Sequence, residues 1–212
     1  MKHKIGIIGC GFVGSAISTG FETLLGDKIE IREYDKYKNT ESLEGVVNNS
    51  NILFIALPTP MDFETGKCDT SIIENEIKHI VDIAEEQKII VIKSTVPPGT
   101  TQRLNLKYNR KHIFVFNPEF LREKVAYRDF LRPDRHIVGV TKKSARFAPD
   151  VVKLLPSATH NFIMREVWGP NAATQTHYLR VYMKHLREKL EKNPAEPELL
   201  ITEPGVGYRL TE

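Results

Sequence analysis

Six short runs of apolar, largely β-branched residues recur through the first two thirds of the chain, and they limit its fold more than any other feature. KIGIIG (4–9), IEIREY (29–34), NILFIAL (51–57), KIIVIKS (88–94), HIFVF (112–116) and HIVGV (136–140) are strand-length segments rich in Ile and Val. Strands that are apolar at almost every position have both faces buried, which requires a parallel sheet covered on each side by helices. Helical patterns fill the gaps at 12–25, 40–48, 70–86, 99–107 and 119–126. The fold class is therefore α/β, a doubly wound parallel sheet of the Rossmann kind. A flavodoxin-like or other open α/β sheet has the same alternation, so function must be read from sites.

Beyond Val140 the texture changes. KKSARFAPDVVKLL (142–155) reads as a helix interrupted at Pro149, PSATHN (156–161) as a break, and NFIMREVW (161–168) as a short helix. GPNAATQ is a loop, HYLRVYMKHLREKL (177–190) a long helix and NPAEPE a linker. LLITEPGVGYRL is a β-hairpin candidate turning around Pro204, Gly205 and Gly207. This divides the chain into an alternating β–α module at 1–145, a junction helix and turn at 146–163, and a small α+β segment at 164–212.

With 212 residues, 41% hydrophobic and 27% charged, there is material for one large or two small cores. A net charge of +3 and a pI near 8.7 fall short of a nucleic-acid coat protein, so charge has to be read locally. Cys10 and Cys68 cannot make a disulfide framework. No cationic, apolar leader opens the sequence and no apolar run reaches membrane-span length. The expectation is a cytoplasmic protein with no membrane partner and no metal.

Gly9, Gly11 and Gly14 form GxGxxG where the first strand meets the first helix, with Phe12 and Val13 inside the turn. Gly9 permits the tight turn, Gly11 lets a pyrophosphate approach the backbone, Gly14 allows close helix packing, and the helix N-terminus offers N–H groups to the anion. Asp35 ends the second strand twenty-one residues after Gly14, where a carboxylate accepts hydrogen bonds from a ribose diol. Its charge disfavours a 2′-phosphate and so favours NAD over NADP, an effect weakened by Lys36. The plain alternative is a glycine-rich turn with a surface Asp.

LPTPMDFETGKCDTS (57–71), KSTVPPGTT (93–101), FNPEFLRE (116–123) and RPDRHIVG (132–139) closely resemble motifs of the UDP-glucose/GDP-mannose dehydrogenase family. The resemblance implies NAD-dependent, four-electron oxidation of a nucleotide sugar's C6 alcohol to the acid. It places Thr59 and Thr95 against the cofactor and Glu119 beside the sugar in acid–base work. Phe120, Leu121 and Arg122 would line the substrate mouth. Pro97 and Pro98 are also simple turn formers, and a Glu at 119 also suits a helix cap. The family's nucleophilic thiol lies in a GGSC-like context with a helical Lys and Asn, and neither is found in this sequence. Cys10 sits in the phosphate turn and Cys68 in the ETGKCD loop, so neither is expected to be the nucleophile.

In the long terminal helix Leu179, Met183, Leu186 and Leu190 form an apolar seam, which by itself suits a packed helix with a cationic, solvated side. VWGPN (167–171), HYLRVYMKHLREKLE (177–191) and ITEPGVGYRL (201–210) resemble the winged helix of OmpR-type response regulators, in particular the potassium-operon branch. That resemblance implies double-stranded DNA as a partner, with Arg180, Lys184 and Arg187 at bases or phosphates, Tyr208 and Arg209 at the wing, and Trp168 as a packing anchor. The receiver domain and the first helix of that family have no recognisable counterpart here. The chain as a whole reads as a hybrid, natural or engineered, of an NAD-binding module and part of a DNA-reading domain. Its oligomeric state is left open, because the first family's dimer-forming helix has no match.

Overall fold

The computed structural model describes residues 2–62, 64, 66–108, 111–133, 135–158, 160–165, 187, 191, 193, 195–198, 200–203 and 207–210. The chain forms two compact units, Met1–Glu166 and Val167–Glu212. The first is built on a seven-stranded sheet: β1 (His3–Ile8), β2 (Ile29–Tyr34), β3 (Ile52–Ile55), β4 (Ile89–Ile92), β5 (Ile113–Phe116), β6 (Arg135–Val140) and β7 (His160–Arg165). Their order is β2-β1-β3-β4-β5-β6-β7. The first five run parallel, with Ile5 opposite Ile52 and Ile52 opposite Ile89. The strand order reverses between β1 and β3, the place where open α/β sheets leave a crevice beyond the strand ends.

All six expected strands form; β3, β4 and β5 are buried on both faces as expected, whereas β2, at the sheet edge, is only partly buried beyond Ile29. Along β3, Ile52 and Phe54 join one core while Leu53 and Ile55 join the other. The first core takes Ile17 and Phe21 from α1 (Phe12–Leu25), Phe130 from α5 (Ala126–Leu131) and Val151 from α6 (Ala148–Val152). The second takes Val46 and Val47 from α2 (Leu43–Asn48), Ile73, Ile77 and Ile80 from α3 (Ser71–Ile83), and Leu104 from α4 (Thr100–Lys107). Ile73, Ile77 and Ile80 recur at three- and four-residue spacing, which places them on one stripe facing the sheet. Gly20 lets α5 approach α1, because a methyl there would run into the Phe130 ring.

Four expectations change. The sheet is not parallel throughout: β6 runs antiparallel to β5, and β7 is parallel to β6. NFIMREVW is not a helix at its start, since His160–Arg165 is a strand registered against Arg135–Val140. The backbone of β6 would otherwise be an open sheet edge, and pairing it outweighs a weak helical pattern. Pro149 does not interrupt a helix either; it lies in the first turn of α6, where its missing N–H costs nothing. Finally, the segment from Glu119 to Arg122 is not helical: a 3-10 turn at Glu123–Val125 leads into α5.

In the second unit β8 (Leu200–Glu203) and β9 (Gly207–Leu210) pair antiparallel as the expected hairpin, with Thr202 opposite Tyr208 and Ile201 opposite Arg209. Arg187 is in a helical turn and its carbonyl accepts from Glu191 N at 2.9 Å. Trp168, Arg180 and Lys184 lie outside the described residues, as does most of the long helix. Among the described residues no helix is long and apolar enough to cross a membrane.

Candidate functional site

The crevice at the strand reversal is a cleft of about 930 Å³ running from the end of β2 across β1 and β3 to β4 and the segment after β5. Its floor is the glycine turn. Gly9 has φ of +92° and donates its N–H to Tyr34 O at 2.8 Å; a Cβ there would stand 2.6 Å from Ala56 O. Gly14 packs so closely under the turn that a methyl would collide with Gly9 O. A Cβ on Gly11 would meet no protein atom, so the space above it is open cleft. Gly11 is also the N-cap of the fourteen-residue α1 and has no side chain to satisfy the first-turn amides. Open space above unpaired, outward-facing N–H groups suits a diphosphate.

Asp35 is held at one end of this floor. Its Oδ2 accepts from Cys10 N at 2.8 Å and its Oδ1 from Tyr37 N at 2.9 Å, while its own N–H donates to Thr40 Oγ1 at 2.8 Å. Each carboxylate oxygen keeps a lone pair for a further donor, which suits a vicinal diol. Lys38 donates from Nζ to Cys10 O, fixing the turn from above. Burial, then the charges of Glu33 and Asp35, push the Cys10 thiol up to about 11, so it stays protonated and unreactive near neutral pH.

Thr59 follows β3 and Thr95 follows β4, and both line the cleft. Ser94, which the sequence reading passed over, ties the two strand ends together: its Oγ donates to Leu57 O at 2.7 Å and accepts from Leu57 N at 2.9 Å. Cys68 reaches the same rim, its Sγ 3.7 Å from Thr95 O.

Glu119 and Leu121 also line the cleft. Glu119 caps no helix: its Oε2 is 2.5 Å from Lys93 Nζ and its Oε1 accepts from Phe120 N at 3.0 Å. Lys93 is 2% exposed and donates to Asn117 Oδ1 at 2.9 Å; burial lowers its pKa, and Glu119 opposes that shift. This buried cation was missed because it stands at the end of an apolar run, IIVIK, where its only signal is a charge next to a strand. Phe120 is exposed outside the cleft lining, and Arg122 instead grips Asp129 with Nε at 2.9 Å and Nη2 at 2.7 Å. Among the described residues no group of three or more His, Cys, Asp or Glu is placed to hold a metal ion.

The profile of the UDP-glucose/GDP-mannose dehydrogenase family, NAD binding domain, matches residues 21–155. The chain belongs to this family. Among relatives, the UDP-glucose 6-dehydrogenase of Campylobacter jejuni subsp. jejuni serotype O:2 is 39% identical over 113 residues, 53% of this chain and 28% of that protein. The structure of a UDP-glucose dehydrogenase from the hyperthermophilic archaeon Pyrobaculum islandicum superposes with a TM-score of 0.63 at 25% identity, covering 87% of this chain and 50% of that one. Family membership implies NAD as the cofactor, and the glycine floor and Asp35 of the cleft fit it. A second profile, transcriptional regulatory protein, C terminal, matches residues 157–210. Over that part, the KDP operon transcriptional regulatory protein KdpE of Escherichia coli is 57% identical across 51 residues, 24% of this chain and 23% of that protein. The chain thus spans about a quarter of the length of each of these curated relatives.

Proposed function

We propose that residues 1–145 are the NAD-binding module of a nucleotide-sugar 6-dehydrogenase of UDP-glucose type, joined through 146–163 to a partial winged helix at 164–212. The observation that carries this reading is the open, uncapped N-terminus of α1 over Gly11 with Asp35 clamped beside it. NAD supplies the hydride acceptor when bound. Gly9, Gly11, Phe12, Val13 and Gly14 cradle its diphosphate, Asp35 takes the adenosine ribose, and Thr59 and Thr95 lie along its far half. Glu119 serves in proton transfer, and Leu121, with Phe120 and Arg122 further out, faces the nucleotide sugar. Neither thiol of this chain acts as the covalent nucleophile, so the module binds cofactor and does not turn over unaided. Free thiols at both cysteines suit a reducing cytoplasm.

Titration with NAD should raise the melting temperature of the protein, and Asp35→Ala should weaken binding by about tenfold or more, the loss of one or two hydrogen bonds to a charged acceptor. A melting temperature indifferent to millimolar NAD sinks the reading. A second reading is favoured by the identity with KdpE and by the β8–β9 hairpin: the tail contacts double-stranded DNA through Arg180, Lys184 and Arg187, with Tyr208 and Arg209 on the wing strand. It requires duplex binding that weakens with salt and with Lys184→Ala or Arg187→Ala. Absent or salt-independent binding leaves the tail as a structural appendage of a hybrid chain.

A further inference from the structure

The cleft has a direction. Asp35 marks the adenosine end at β2 and Gly11 the diphosphate position over α1, so the other half of a dinucleotide must extend past β3 toward the ends of β4 and β5. Two opposite charges wait there. Lys93, almost fully buried at the end of β4, is paired with Glu119 at 2.5 Å, and both line the cleft. The pair is anchored from below, since Asn117 accepts from Lys93, donates from Nδ2 to Ile137 O at 2.8 Å on β6, and donates from its backbone N–H to Ile92 O at 2.9 Å. His136, also on β6, is partly buried with Nε2 3.0 Å from Pro156 O, and burial holds its pKa down so that it adds no charge near neutral pH.

A buried ion pair is an expensive way to fill space, and an apolar pair of similar shape would hold the fold as well. What it provides here is a carboxylate with fixed position and a cancelled field. The nicotinamide ring is cationic when oxidised and neutral when reduced, so any net charge at this end of the cleft biases it between the two forms. We propose that the Lys93–Glu119 pair sets the cleft's preference between NAD+ and NADH, with Lys93 as the positioning residue that neutralises Glu119 and holds it in place. This rests on the reading that the cleft binds NAD.

Both parts are tested by calorimetric titration of the full chain at pH 8.5 and low salt with NAD+, NADH and ADP-ribose, which lacks the nicotinamide. Lys93→Met leaves a lone carboxylate and should shift the NAD+ to NADH affinity ratio roughly tenfold toward NAD+, the size expected of one charge about 10 Å away at an effective dielectric near 20. Glu119→Gln removes the carboxylate and with it the opposition to burial that keeps Lys93 protonated, so it should not shift the ratio toward NAD+. The double variant Lys93→Met/Glu119→Gln should return it to within about twofold of the parent, a rescue that simple loss of packing does not produce. ADP-ribose affinity should stay constant through the series. If Lys93→Met fails to fold, Lys93→Gln, which keeps a donor for Asn117 and leaves the same lone carboxylate, carries the comparison. ADP-ribose binding with an unmoved NAD+ to NADH ratio in a folded Lys93 variant overturns this inference and leaves the cofactor reading intact. Failure of ADP-ribose to bind the parent chain overturns both.

Discussion

His112, at the entry to β5, gives the first unit an acid-sensitive point away from the cleft. Its ring is 2% exposed, Nδ1 accepts from Lys88 N at 3.2 Å, and Nε2 is buried with no hydrogen-bond partner among the described residues. Burial, then the cations Lys111 and Lys88, lower its pKa from 6.5 to about 4. Because the folded value lies below the unfolded one, protons bind the unfolded chain first as pH falls. Stability from the neutral ring is therefore complete above pH 6.5 and is lost on descent from 6.5 toward 4. Between pH 7.5 and 4.5 the loss is about 2.5 kcal/mol, from a linkage of roughly 1.4 kcal/mol for each pH unit inside that window. Urea midpoints followed by circular dichroism over this range should fall more steeply in the parent than in His112→Asn, which keeps an acceptor for Lys88 N and cannot titrate. Other groups titrate equally in both proteins, so the difference between the two slopes isolates the ring. Parallel slopes would refute the argument.

Gly14→Ala should cost about 1 to 3 kcal/mol of stability from the collision with Gly9 O and should also abolish NAD-dependent stabilisation, read from melting curves with and without cofactor. Asn105→Ala should cost about 2 to 4 kcal/mol in denaturant titrations, because the buried amide both accepts from Phe114 N at 3.1 Å and donates to Phe114 O at 2.8 Å, and its loss strands both groups. Arg122→Ala should partly release Asp129, now held at about 2 chiefly by hydrogen bonds from the Arg122 side chain, so that its carboxyl titrates higher by NMR while the backbone N–H at 122 keeps part of the shift. A chain ending at Ala158 should associate through the bared edge of β6 in light scattering, whereas one ending at Arg165 should not.

The core of the fold was legible because parallel strands buried on both faces write themselves as unbroken Ile and Val runs, and all six such runs became strands. The strand at 160–165 was not, because its residues have no alternation strong enough to defeat a helical spacing; a neighbour's open edge decided it. At the site, the glycines and Asp35 were readable because backbone geometry demands those residue types at those intervals. Lys93 and Ser94 were hidden, since a lysine or serine closing a strand looks the same whether its side chain turns to solvent or inward. Phe120 and Arg122 came from resemblance alone, and the structure spends Arg122 on Asp129.

The two family matches meet almost end to end, at 155 and 157, yet the first compact unit continues to 166. Inside the second match lies β7, which belongs by sequence to the regulator-like match and by pairing to the dehydrogenase sheet. That is possible because a sheet edge asks for backbone N–H and C=O groups in register and places few demands on side chains. The cofactor cleft is the opposite case. Gly9, Gly11, Gly14, Asp35, Lys93 and Glu119 each matter through a particular atom or the lack of one, and all of them fall before residue 140. β7 supplies none of these residues, so the case for NAD binding stands without any role for the tail.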